Sequence, residues 1–209
     1  MVEFRIEAGR PDERVLARAA AILRDGGVVA YPTDTLYGLA ANPASATATA
    51  QLYRIKGRPV DLALPLIASG VDQIESAGAV LGPASRRLAA RFWPGPLTLI
   101  VPAWSGLDAR VHAGLWTVAV RVPDHPVATM LARLCGWPIT STSANRSGEA
   151  ATGDPGVVRA ALGDALDALI DAGPSPGGAP STIVDARTGT PRLVRAGAVP
   201  WERVLESLQ

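Results

Sequence analysis

Apolar positions over residues 12–25 recur at helical spacing, with Val15, Leu16, Ala19, Ile22 and Leu23 on one face. Gly26-Gly27 stops the run, which therefore predicts a helix. Residues 28–31 (Val-Val-Ala-Tyr) are continuously apolar and close on Pro32, the signature of a buried strand. An alanine-rich stretch near 44–55 predicts a helix that delivers Lys56 at its C-terminal end. A short strand is expected over 64–67, then helices over 71–77 and 83–93. Residues 97–101 and Thr117–Arg121 predict strands, 126–134 a helix, and 139–142 a strand running into a polar turn. A helix near 155–163, strands near 167–171, 181–185 and 192–195, and a helix over 201–208 complete the pattern. Strands alternating with helices indicate an α/β fold. No internal repeat is visible. The Gly/Pro-rich stretch 172–180 reads as a loop over a site, because the 29 or so residues after it are too few for a further domain. The expectation is one domain over residues 1–209.

Composition narrows the classes. With 48% hydrophobic and 19% charged residues in 209, the chain is expected to fold around a substantial core. No apolar run approaches the ~18–20 residues of a membrane span. Residues 1–5 lack the apolar core of a secretory signal. A single cysteine, Cys135, excludes an internal disulfide and a multi-cysteine zinc site. Together these favour the cytoplasm. A net charge of +1 argues against wholesale coating of nucleic acid but allows a local basic cleft.

Of the 20 basic residues one is a lysine, Lys56. It lies in Arg54-Ile55-Lys56-Gly57-Arg58-Pro59, where a turn carries three cations. An ammonium differs from a guanidinium most at a phosphate or a reacting atom, so the loop suits an anionic ligand. Residues 32–38 (Pro-Thr-Asp-Thr-Leu-Tyr-Gly) follow the first core strand, where α/β sheets place ligands, although turn formation also explains their Thr and Asp. Residues 140–148 carry five hydroxyls and an amide in nine residues, neutral donors suited to phosphate oxygens or to a capped turn. Arg121 and Arg195 each end a strand, either as a bidentate anion clamp or as a surface ion-pair partner. Ser181 and Thr182 follow the Gly/Pro loop. His112 and His125 have no partner at metal-ligand spacing. Neither a P-loop nor a G-x-G-x-x-G fingerprint occurs, and no nucleophile triad can be identified. Catalysis would have to rest on positioning and electrostatics.

Taken in order, these segments resemble the YrdC-like family, the threonylcarbamoyl-adenylate synthases. Seven motifs carry the resemblance: residues 31–39 (Tyr-Pro-Thr-Asp-Thr-Leu-Tyr-Gly-Leu), Lys56-Gly57-Arg58, residues 93–98 (Trp-Pro-Gly-Pro-Leu-Thr), Arg121-Val122-Pro123, residues 143–148 (Ser-Ala-Asn-Arg-Ser-Gly), residues 181–185 (Ser-Thr-Ile-Val-Asp) and Arg195-Ala196-Gly197. The resemblance implies a twisted open mixed sheet with flanking helices and a positively charged concave cleft. It also implies condensation of L-threonine, bicarbonate (or carbon dioxide) and ATP to threonylcarbamoyl-AMP and pyrophosphate. Partner proteins would pass the product to tRNA, and tRNA itself is a possible partner. Magnesium would be held mainly by the ATP phosphates.

By the same resemblance Lys56, Arg58, Ser143 and Asn145 are the catalytic set, and they bind ATP together with Thr117, Thr152 and Arg195. Thr35, Arg121, Ser141 and Ser181 would hold threonine, with Arg121 or Ser181 on its carboxylate. Leu62 and Ile67 stand where many members carry an asparagine and a histidine. The C-terminal domain of longer members is not seen, so the short type is expected. Two other classes compete. A double-stranded-RNA or tRNA-binding module is disfavoured by near-neutral charge and 5% aromatics. A carbamoyl-adenylate-forming carbamoyltransferase is disfavoured by the lack of cysteine-rich zinc segments.

Overall fold

The computed structural model describes residues 1–188 and 190–209. Its first element, β1 (Val2–Arg5), was not expected, because four residues are too few for alternation to stand out. The amphipathic run forms α1 (Glu13–Arg24), started by the Asp12 carboxylate, which accepts from Arg14 N. The apolar run forms β2 (Val29–Tyr31), and an unexpected β3 (Gly38–Ala40) returns antiparallel to it. Ser45 caps α2 (Ala46–Lys56), which ends at Gly57 with φ of 57°. That left-handed value favours glycine and turns the chain sharply between Lys56 and Arg58.

The middle of the chain runs through β4 (Leu66–Ile67), α3 (Val71–Ser76), α4 (Pro83–Phe92), β5 (Leu97–Pro102), the short α5 (Ala109–His112) and β6 (Thr117–Arg121). Then come α6 (Pro126–Cys135), β7 (Ile139–Thr140), β8 (Thr142–Ser143) and α7 (Pro155–Leu162). The chain finishes with β9 (Ala168–Asp171), β10 (Thr182–Asp185), β11 (Arg192–Arg195) and α8 (Trp201–Glu206). The four-residue α5 was not expected either.

The strands form two mixed sheets flanked by helices, ordered β1-β9-β2-β3-β8 and β11-β10-β5-β6-β4-β7. The strand expected over 139–142 breaks at Ser141. β7 pairs with β4 in the larger sheet, and β8 pairs with β3 in the smaller. The peptide at this step is held from both sides: Thr140 N donates to Ala41 O (3.2 Å) and Ser141 N to Pro65 O (2.8 Å). Ser141 therefore sits where one sheet hands the chain to the other.

Burial explains why β2 is apolar throughout. Val28 and Ala30 face the core shared with Leu97, Leu99, Val118, Val120 and Val184 of the larger sheet. Val29 and Tyr31 face the second core, built with Leu16, Leu23, Val127 and Leu131 from α1 and α6. Strands β5, β6 and β10 turn Leu97, Leu99, Val120 and Val184 inward, so by period 2 the alternate residues Thr98, Arg121 and Ile183 face the other side. Cys135 is buried in the second core, and burial pushes its thiol up to about 12. No helix among the described residues is long and apolar enough to cross a membrane.

Candidate active site

A cavity of about 420 Å³ opens on that outer side, walled by both sheets. Thr33, Thr35 and Gly38 come from the β2–β3 turn, Ile67 from β4, Thr98 from β5 and Arg121 from β6. Ser141, Thr142 and Ser143 contribute the sheet-crossing segment, Ser181 and Ile183 the start of β10, and Arg195 the end of β11. Arg58 reaches in from the turn after α2. Among the described residues the charged lining side chains are Arg58, Arg121 and Arg195, all guanidiniums, and no carboxylate belongs to the lining.

Each arginine is held by oxygen acceptors. Arg58 donates from Nε to Leu62 O (3.1 Å) and from Nη2 to Ala63 O (2.9 Å), which pins it to its own turn. Arg195 Nη2 donates to Ser181 O (2.7 Å) and Ser181 Oγ (3.1 Å). Arg121 is the enclosed one, with its side chain 8% exposed and Asp34 Oδ1 3.0 Å from its Nη1. Burial first, and the Arg121 charge second, lower the pKa of Arg195. The Arg121 charge acts on Arg195 across a hydroxyl-lined cavity, and an anion bound there would offset that repulsion.

The hydroxyls are ordered as well. Thr33 Oγ1 donates to Leu36 O (2.7 Å), accepts from Thr35 N (3.2 Å) and lies 3.1 Å from Thr35 Oγ1. Thr98 Oγ1 and Ser181 Oγ are 2.8 Å apart. Tyr37, beside this turn, donates to Gly173 O (2.8 Å), and burial pushes its phenol up to about 12.

Of the residues singled out in the sequence, the structure brings Thr35, Arg58, Arg121, Ser141, Ser143, Ser181 and Arg195 to this one cavity. Four others lie outside its lining. Lys56 is 2% exposed, and its ammonium donates to Ser143 O (2.5 Å), Asn145 O (2.8 Å) and Asn145 Oδ1 (3.3 Å). Its own carbonyl accepts from Ser147 N (2.8 Å). Asn145 in turn donates from Nδ2 to Arg146 O (2.9 Å) and Glu149 O (2.7 Å). Lys56 and Asn145 thus form a clasp behind Ser143. Burial first, and the Arg58 charge second, push the Lys56 ammonium down to about 8. Thr152 stands beside the wall, its carbonyl accepting from Tyr37 N (3.0 Å) and its hydroxyl from Asp154 N (3.0 Å). Thr117 pairs with Pro102 at the opposite end of β6 from Arg121, roughly 13 Å along the strand.

Sequence reasoning did not single out Thr33 or Thr98 as site residues, although both lie inside motifs it quoted. Strand alternation on β5 was the available signal for Thr98. Leu62 is exposed and contributes its carbonyl to Arg58, whereas Ile67 puts an apolar side chain on the cavity wall. His112 and His125 are buried away from the lining, and burial lowers the pKa of His125.

Comparison with known proteins points the same way. The Sua5/YciO/YrdC family profile, described as telomere recombination, matches residues 21–197. Threonylcarbamoyl-AMP synthase of Bacillus subtilis (strain 168) is 40% identical over 190 residues, 90% of this chain and 55% of that protein. The Pyrococcus abyssi protein of the same name is 36% identical over 195 residues, 93% of this chain and 57% of that one. The chain therefore spans little more than half the length of these relatives. The crystal structure of P. abyssi Sua5 complexed with L-threonine superposes with a TM-score of 0.91 at 34% identity, over 99% of this chain and 60% of that one.

Proposed function

The chain belongs to the Sua5/YciO/YrdC family, and on that premise we propose that it is an L-threonylcarbamoyladenylate synthase, a nucleotidyltransferase serving threonylcarbamoyladenosine formation in tRNA. The observation that carries this is the cavity lined by three guanidiniums and several hydroxyls, with no carboxylate among its described lining side chains. All three substrates are anionic or become so, and such a lining attracts them and steadies charge as it moves. Both sheets wall the one cavity, which supports reading residues 1–209 as one YrdC-like domain.

In this reading the threonine nitrogen bonds to the carbon of bicarbonate with loss of water. A carbamate oxygen then bonds to the α-phosphorus of ATP. The bond from that phosphorus to the α–β bridging oxygen breaks, and pyrophosphate leaves. Arg58, Arg195 and Ser143 hold phosphate oxygens, and Thr35, Arg121, Ser141 and Ser181 hold the amino acid. Lys56 and Asn145 keep Ser143 in place from behind. Among the described residues no three His, Cys, Asp or Glu side chains converge as a metal cluster. In this reading magnesium comes with the substrate, on the triphosphate, where it would neutralise charge.

Purified protein given ATP, magnesium, L-threonine and labelled bicarbonate should release pyrophosphate and form a labelled adenylate only when all are present. ATP turnover that is equal without threonine sinks the reading.

A further inference from the structure

The wall formed by β5, β10 and β11 carries a hydroxyl pair whose hydrogens can be counted. Ser181 Oγ accepts from Arg195 Nη2 (3.1 Å), and a guanidinium has no acceptor to offer in return. The same oxygen lies 2.8 Å from Thr98 Oγ1, close enough that one hydrogen lies between them. Two hydroxyls carry two hydrogens. Among the described residues neither hydroxyl has a further acceptor within hydrogen-bond reach, so the second hydrogen has only the cavity to point to, and both residues line it. The guanidinium at the head of this hydrogen-bond chain polarises both hydroxyls, so the free O–H is a strengthened donor.

The parallel register of β5 and β10 makes this pairing a property of the fold. Ile183 is the partner of Thr98 and Thr182 that of Leu97, which sets Ser181 beside Thr98 on the cavity face. Thr182 points the other way and is fully buried, its hydroxyl donating to Val199 O (2.7 Å) and accepting from Val199 N (3.0 Å). The Ser181 backbone is thereby held in register, and Thr98 and Arg195 are the two contacts that fix its hydroxyl rotor.

We propose that Thr98 is a positioning residue that, with Arg195, orients the Ser181 hydroxyl as a hydrogen-bond donor to an anionic oxygen of the ligand. It deepens the synthase reading and rests on it for the identity of that oxygen, which belongs either to the carboxylate of the amino acid or to a phosphate. Neither class of oxygen carries a hydrogen to offer, which is what a donor-only wall selects.

The test compares wild type, Thr98→Val, Thr98→Ser and Ser181→Ala, and the double variant Thr98→Val/Ser181→Ala. Threonine-dependent pyrophosphate release is measured, together with calorimetric binding of L-threonine, magnesium ATP and inorganic pyrophosphate separately. Thr98→Val should lower kcat/KM by about 3- to 30-fold, the loss expected for one hydrogen bond, more when a charged group strengthens it. Thr98→Ser, which keeps the hydroxyl, should stay within about twofold of wild type. The double variant should be no worse than Ser181→Ala alone, because the two residues act as one unit. A rise in KM for threonine alone assigns the oxygen to the amino acid, and a rise for ATP alone assigns it to a phosphate. Thermal melts check folding, and Thr98→Ala replaces the valine variant if that one fails to fold.

Wild-type behaviour of Thr98→Val, a serine variant as poor as valine, or additive losses in the double variant would overturn the proposal. If wild type binds ligand but shows no threonine-dependent turnover, the synthase reading fails, and the same comparisons in binding still decide Thr98. If wild type binds none of the three probes, both fall.

Discussion

At Lys56 three carbonyl oxygens converge on one ammonium, so removing the nitrogen strands three buried acceptors. Hydrogen bonds from a charged donor are worth roughly 1.5–3 kcal/mol. Lys56→Met should therefore lower the melting temperature by several degrees and reduce kcat, because Ser143 loses its backing. Lys56→Arg keeps the charge but forces a larger planar group into a site only 2% exposed. It should also destabilise, by about 1–3 kcal/mol, and a melt equal to wild type would contradict the clasp. The pH dependence has a definite sign. The folded ammonium titrates near 8, below the ordinary value of 10.5 that holds in the unfolded chain. Between those values the unfolded chain binds more protons than the folded one, so this group's contribution to stability rises with pH. Denaturation midpoints at pH 7.5 and 9.5 should show wild type gaining on Lys56→Met at the higher pH; a gain at the lower one would refute the assignment. The hydroxyls of Thr35 and Ser141 carry a second residue-level expectation. If they bind the threonine side chain, valine leaves buried polar groups unpaired and should fall short in kcat/KM by orders of magnitude, up to about 10⁴. Serine loses a methyl worth about 1 kcal/mol. Comparable kcat/KM for valine and threonine would refute this placement.

Among the elements, β11 depends on a close approach. A Cβ on Gly197 would come within 2.6 Å of Ser181 C and Thr182 N and would meet Pro180 O as well, all backbone atoms with nowhere to go. Ala198 N donates to Pro180 O (2.9 Å) at the same place. Gly197→Ala must push the end of β11 away from β10 and lift Arg195 off Ser181. The expected result is a destabilisation of about 1–3 kcal/mol and a weaker affinity for anionic ligands. Gly9→Ala, where an added Cβ meets nothing within 4 Å, is the control and should melt as wild type does. Most elements were legible from periodicity because each buries a local face. Three were not. β1 and β3 are four and three residues long and α5 is four, shorter than the window over which a period can be counted.

At the scale of the whole molecule, a ligand held in the cavity would tie the two sheets together, since Thr35 and Gly38 come from one and Thr98, Arg121 and Ile183 from the other. Magnesium ATP with L-threonine should raise the melting temperature of one common transition, by the equivalent of about 2.7 kcal/mol at a hundred times Kd. A shift confined to part of the unfolding profile would show that the cavity does not join the sheets. What the sequence determined by itself was the alternation of strands and helices, the apolar faces, and seven side chains that meet in one cavity. Those properties come from local burial periods and from short motifs that chemistry holds in one order. Only the tertiary structure decided that the run at 139–142 divides between two sheets and that Lys56 is buried behind Ser143 while Arg58 faces the cavity. It also decided that Thr117 lies at the far end of its strand and that Thr98 stands against Ser181. Each of these is settled by pairing between residues distant in the chain, such as Leu66 with Thr140 or Thr98 with Ile183. Such a pairing register is a property of the assembled sheets, and no stretch of residues read alone contains it.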